Sequence, residues 1–360
     1  MRAEAVQKQS VAVFVSGHEY LRHRIDWARP SISRERHLAR KSSLRPLYVV
    51  TIDASRGTVR KAKFGLKTPA NKPDVKVDEV KSPIKDENYQ LVDLAPDRQT
   101  YVFNSGFKTV FSILDIYKLI LSTAASEGPL HELSFFSHAE YSGPVLTNTF
   151  AYRRVARVGS RHVLVPAATE SGSHRDPDDL DPRPIDFTED NQTREELAQW
   201  RKLFTKAGYA RLWGCQSRQR ILILMRRIKQ AKPPVGRYTK DDAILRLNLT
   251  EFERECVSDL SQDLLTKTKQ RNVYEMRFGD FKAVMKNTLR NTYGYQLAQA
   301  SNTTVYAAAP GTYSDFKGDD VMYVHESTVD IVSVYETALG VRSDPEPLGY
   351  IGYEPSASAR

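Results

Sequence analysis

The chain has 360 residues, of which 40% are hydrophobic and 10% aromatic, enough to pack a globule and too much for wholesale disorder. Its formal charge of +9, from 53 Lys+Arg against 44 Asp+Glu, is spread along the chain and singles out no nucleic-acid or membrane-surface partner. With only two cysteines, Cys215 and Cys256, a disulfide scaffold is excluded as a main source of stability.

The other global signals point to the cytoplasm. Met1 to Lys8 lacks the apolar core of a signal peptide, and no run approaches the roughly 20 apolar residues of a membrane span. The expectation is a soluble cytoplasmic protein with no membrane insertion, exported only if a dedicated secretion machine carries it. Its length fits one large elaborated domain, or one domain with a smaller companion.

Val11 to Val15 reads as a short strand closed by Ser16 and Gly17. The following stretch, Arg22 to Arg45, is rich in Arg and Lys with few periodic apolar positions. It reads as a solvated basic arm, with docking on an acidic partner as the sharper alternative. Leu47 to Asp53 and Thr58 to Phe64 flank a Gly-containing turn and predict a hairpin, and the Lys-, Pro- and Asp-rich stretch from Lys67 to Asn88 reads as a linker. Residues 1–88 are therefore expected to be an arm, a hairpin and a linker ahead of a main α/β domain at 89–345, with a flexible tail at 346–360.

Within the main domain, a strand at Tyr101 to Asn104, a helix from Lys108 to Ala124 and a strand ending at His138 make a βαβ unit. An insertion follows, with a hairpin over Arg153 to Val165 and an acidic, Pro-rich loop between His174 and Phe187. EF-hand frames starting at Asp176 or Asp179 lack the turn glycine, so the loop reads as surface. A helix from Thr193 to Ala207, capped by Thr193 or Asn191 and ended by Gly208, leads into the strand Tyr209 to Cys215. Gln219 to Gln230 is an amphipathic helix with Ile221, Leu222, Leu224, Met225 and Ile228 inward. Residues 240–300 read as a helical insertion, with Cys256 beside Val257 on a core face. Thr303 to Ala309 and Val321 to Val324 are further strands.

Two of these strands end in reactive side chains, His138 and Cys215. In open parallel sheets, ligands bind in the crevice outside the carboxyl ends of the strands. An imidazole beside a thiol favours the nucleophilic thiolate, and a helix starting just after Cys215 would lower its pKa further. No phosphate loop, dinucleotide fingerprint, Gly-x-Ser-x-Gly elbow, His-Glu-x-x-His helix or zinc-ligand spacing occurs, so no metal or other cofactor is expected.

The layout of Ser137-His138-Ala139 through Gly143-Pro144, followed by Trp213-Gly214-Cys215-Gln216-Ser217, resembles that of the caspase-like cysteine peptidases, which include legumains, gingipains, separases and the CHAT proteins. The resemblance implies a mainly parallel sheet flanked by helices and a protein or peptide substrate. It makes His138 the acid and base and Cys215 the nucleophile. Backbone N–H groups around Ala139, Gly143 and Gly214 would form an oxyanion hole, although the family's Gly after the His is Ala139 here. By position, Gln216 and the loop Pro310, Gly311, Thr312 and Asp315 would line the substrate pocket, and Asp315 with Asp319 would favour basic substrates. The alternative is a catalytically inactive α/β binding or effector protein that uses the same crevice or its basic arm.

Overall fold

The computed structural model describes residues 9–17, 25–54, 56–79, 91–94, 101–103, 113–140, 143–146, 153–158, 161–166, 186–189, 191–318 and 320–356. These fall into two compact units, Met1–His138 with Pro144–Tyr209, and Ala139–Gly143 with Ala210–Arg360. Among the described residues, no helix is long and apolar enough to cross a membrane.

In the first unit, β1 (Ser10–Ser16) leads through α1 (Ala28–Arg40) to β2 (Leu47–Asp53), β3 (Thr58–Phe64) and β4 (Asp74–Glu79). Then come β5 (Leu91–Leu94), β6 (Tyr101–Phe103), α2 (Ile113–Glu127) and β7 (Leu130–Phe136). Next in the chain are the short strands β8 (Ala139–Glu140), which is counted with the second unit, and β9 (Gly143–Pro144), which spans the boundary. The first unit continues with β10 (Arg153–Val158), β11 (Arg161–Pro166), α3 (Arg194–Trp200) and β12 (Phe204–Leu212). The strand order is β12-β7-β1-β2-β3-β4. β1 runs parallel to both β2 and β7, whereas β2–β3 and β3–β4 are antiparallel. The central strands are buried almost throughout, which is why they read as continuous apolar, β-branched runs without alternation.

The N-terminal region is thus part of the main α/β unit, not an arm, hairpin and linker ahead of it. Residues 28–40 form α1, whose buried face carries Arg34 and Glu35 beside Leu38 and Ala39. A helix that buries charges shows no apolar stripe, because the partners that neutralise it, Glu132 and Arg60, lie far off in sequence. β4 likewise falls inside the stretch read as a linker; it is an exposed edge strand whose Asp74, Lys76 and Asp78 suit an unpaired edge. The hairpins β2–β3 and β10–β11 form as expected. β6 does not open a βαβ unit with β7: it belongs to a separate four-stranded sheet, β10-β11-β6-β5. The acidic loop lies largely in 167–185, outside the described residues.

α3 starts with a full capping box, Thr193 with Glu196, but ends at Trp200, earlier than read. Gly208 is not a helix stop; it lies within β12, where a Cβ would come 2.5 Å from the Leu130 carbonyl oxygen. Close backbone approach is what the glycine permits there.

The second unit takes the end of β12, then α4 (Gln219–Lys229), β13 (Ile244–Asn248), α5 (Glu251–Ser258), β14 (Thr266–Lys267), β15 (Val273–Arg277), α6 (Phe278–Arg290) and α7 (Tyr293–Ser301). It continues with β16 (Thr304–Ala307), β17 (Ser314–Lys317), β18 (Val321–Val324), α8 (Glu326–Val329), α9 (Val332–Leu339), β19 (Arg342–Ser343) and β20 (Ile351–Tyr353). Its sheet order is β19-β20-β16-β12, and β13-β15-β14 form a smaller sheet. The 240–300 segment is therefore helical only in part: Leu245, Leu247 and Leu249 are buried at every second position, which is a strand period. Cys256 is half-buried on α5 beside the fully buried Val257.

The tail is not flexible over its first part. β20 pairs antiparallel with β16 from Val305↔Tyr353 to Ala307↔Ile351, and Tyr350, Ile351 and Tyr353 are buried. Its Pro and Gly residues mask a strand whose side chains fill the core. Three buried side chains at about 1.5–3 kcal/mol each make deletion of 346–360 expected to unfold the second unit. Amide exchange reads this directly; protection retained across β16 and α7 would contradict it.

Candidate active site at the strand ends

In the first unit the chain leaves β1 for β2 on one side and later returns to β7 on the other. The carboxyl ends of β1 and β7 therefore flank a topological switch point, where α/β sheets open a crevice. Ser16, Gly17, Ser137 and His138 stand at these ends, and Asp53 ends the neighbouring β2. Gly17 N–H donates to Phe136 O at 2.8 Å, and Ala54 N–H donates to Ser16 O at 2.9 Å. A Cβ on Gly17 would lie 2.6 Å from Ser137 Cβ and 2.8 Å from Val145 O, so only glycine fits. His138 lies just past β7, with its carbonyl accepting from Val145 N–H at 2.8 Å and from Ser137 Oγ at 2.7 Å. Its half-exposed ring meets Trp27 edge-to-face at 4.9 Å.

Cys215 belongs to the second unit, just past β12. Its Sγ accepts from Ser314 N–H at 3.2 Å and donates to Ser314 O at 3.7 Å. Around it, Gln216 N–H donates to Thr312 O at 3.1 Å, Gly311 N–H donates to Gln216 O at 2.7 Å and Ser314 Oγ donates to Gly214 O at 2.9 Å. The structure thus brings Gly214, Cys215 and Gln216 together with the 311–314 loop. Tyr350 Oη closes the group, donating to Trp213 O at 3.2 Å.

Not every residue read as pocket lining plays that part. Thr312 is fully buried and its hydroxyl donates to Ala309 O at 2.7 Å, so it holds the turn. Pro310 is buried and its carbonyl accepts from Tyr335 Oη at 2.6 Å. Asp315 starts no loop but sits on β17, exposed, accepting from Phe316 N–H at 2.7 Å, with His325 Nε2 at 3.7 Å from its carboxylate. Ala139 lies half-buried in β8, and Gly143 is buried at φ +131°. Asp319 lies outside the described residues. Ser314 falls inside the loop read as pocket lining, although nothing local marks it as bonding the thiol through its backbone; Tyr350 was missed, because it sits in a stretch whose composition imitates a loose tail.

The thiol's electrostatics reverse the sequence expectation. Burial pushes the Cys215 pKa up, the Ser314 N–H bond opposes this, and the Asp315 charge adds to the rise. α4 starts only at Gln219 with Arg218 as its cap, so Cys215 is not at its N-terminus. The resting thiol is therefore the neutral form. The basic face of α4 is occupied as well: Arg220 pairs with Asp259, Arg227 with Glu253 and Lys229 with Asp330.

Gly311 at φ +91° fixes the loop that faces Cys215, and a Cβ there would meet Leu222 N at 2.9 Å. Gly311→Ala is expected to cost about 1–3 kcal/mol, measured by urea unfolding; a change within error of zero would mean that the loop relaxes freely.

Comparison with known proteins finds no matching family model, no matching curated protein and no matching solved structure.

Proposed function

We propose that the chain is a cysteine-dependent hydrolase, a peptidase of caspase-like layout, with Cys215 as nucleophile and His138 as acid and base. One observation carries this reading. β7 and β12 are neighbouring strands in the first unit's sheet, His138 follows the end of the one and Cys215 the end of the other.

The chemistry assigns each group a task. His138 takes the thiol proton as the sulfur attacks the scissile carbonyl, so that the S–C bond forms. The imidazolium then gives its proton to the leaving amine as the C–N bond breaks. Water hydrolyses the thioester and restores the thiol. Because burial keeps the resting thiol neutral, the base acts when substrate is bound and not before. Backbone N–H groups at Ala139 and Gly143 are the proposed oxyanion donors. Asp315 lies on β17 next to the Ser314 that bonds the thiol, and its exposed carboxylate favours substrates with a basic residue.

A second reading, a non-catalytic binding protein, draws on the same neutral, doubly bonded thiol. Its basic arm has less support, since Arg34 of α1 is spent on Glu132 inside the fold.

Fluorogenic peptide amides ending in Arg, Lys, Asp or Leu separate the two. Turnover of the Arg and Lys substrates, abolished by Cys215→Ala and reduced about 10²–10⁴-fold by His138→Ala, is the expected result. No turnover of any peptide, or turnover that survives Cys215→Ala, would sink the hydrolase reading.

A further inference from the structure

We propose that Trp27 is the positioning residue of His138, and that a charged clamp, Asp53–Arg56–Asp26, holds Trp27 in place for that task. The inference rests on the reading of His138 as the base.

A base needs a fixed ring, and the bonds at the His138 carbonyl act on its backbone. The imidazole itself packs against the indole, with ring centroids 4.9 Å apart and planes at 80°, the edge-to-face arrangement that aromatic pairs favour. Trp27 is only 4% exposed, so the ring that presses on His138 is itself caged.

Its placement comes from β2. Asp53 closes that strand and is buried, and its carboxylate accepts from Arg56 N–H at 2.9 Å and from Arg56 Nη1 at 2.6 Å. The same guanidinium reaches both oxygens of Asp26, at 3.2 and 3.0 Å. Asp26 in turn accepts from Ala28 N–H at 3.1 Å, at the first residue of α1. Trp27 lies between Asp26 and Ala28. The Arg56 hydrogen bond holds the Asp26 carboxyl below its usual range, so the clamp stays charged at neutral pH. Charge-assisted, bidentate contacts of this kind add geometric definition as well as strength.

The test uses the full chain with ¹³C-labelled histidine, the His138 ring signals being assigned by their loss in His138→Gln. Trp27→Leu keeps an apolar filler and removes the ring current. The expected result is a shift of the His138 ring signals in Trp27→Leu, largely restored in Trp27→Phe. Alkylation of Cys215 by a peptidyl chloromethyl ketone should fall about ten- to a hundredfold in Trp27→Leu; there the thiolate displaces chloride as the S–C bond forms. Should Trp27→Leu not fold, Arg56→Met leaves the indole and loosens only the clamp, and it should broaden or shift the same signals. His138 signals unchanged in Trp27→Leu, or in Arg56→Met, would overturn the proposal. If they move in Arg56→Met, where the indole remains, while Cys215 alkylation stays unchanged in Trp27→Leu, Trp27 positions His138 and it is the hydrolase reading that fails.

Discussion

Glu132→Ala is expected to destabilise the first unit by about 3–5 kcal/mol. The Glu132 side chain is fully buried, and Arg34 binds it in a fork, Nε to Oε1 at 2.9 Å and Nη2 to Oε2 at 2.8 Å. Tyr209 Oη donates to Oε2 at 2.7 Å and Ser134 Oγ to Oε1 at 2.6 Å. One carboxylate thus collects the donors of α1, β7 and β12. Removing it leaves a buried guanidinium without this counter-charge, which costs far more than the bonds themselves contribute. The contrast is the double substitution Arg34→Met with Glu132→Leu, which removes both charges and is expected to be close to neutral. Chemical denaturation measures both; a loss below about 1 kcal/mol for Glu132→Ala would show that water reaches the cluster.

Asp344→Ala should have an effect of similar size, about 3–5 kcal/mol, in the second unit. Arg211 is buried to 2% exposure, forks onto Asp344, and lies over the rings of Trp213 and Tyr306 at 5.1 Å each. Glu346, 3.4 Å from Arg211 Nη2, can take over part of the charge, which places the expectation at the lower end of the range. Hydrogen exchange distinguishes the two substitutions. Protection should fall in the first unit for Glu132→Ala and in the second for Asp344→Ala, since each network closes within one unit. Equal losses in both units for either variant would contradict this assignment.

These two clusters also explain what the sequence could and could not reveal. β1, β2 and β7 were legible because burial on both faces demands unbroken apolar runs, and α4 was legible because its buried residues keep the helical period. α1 was not, since a third of its inward face is Arg34 and Glu35, whose partners are unknowable without the fold. β4 hid behind edge charges and β20 behind Pro and Gly. At the candidate site, strand-end reasoning singled out Cys215, Gln216 and the 310–315 loop, whose backbone bonds Gln216 and the thiol. It failed on the thiol's acidity, because that depends on burial and on a backbone bond from Ser314 that no local pattern encodes.

The most direct measurement is the rate of Cys215 alkylation by a peptidyl chloromethyl ketone across pH, in the wild type and in His138→Ala. A base acting on a neutral thiol predicts a wild-type rate about 10²-fold or more above that of His138→Ala at neutral pH, with a profile whose shape changes when the imidazole is removed. The same rate and the same profile in both proteins, following only the ionisation of a buried thiol, would contradict the account and leave the crevice as a binding surface.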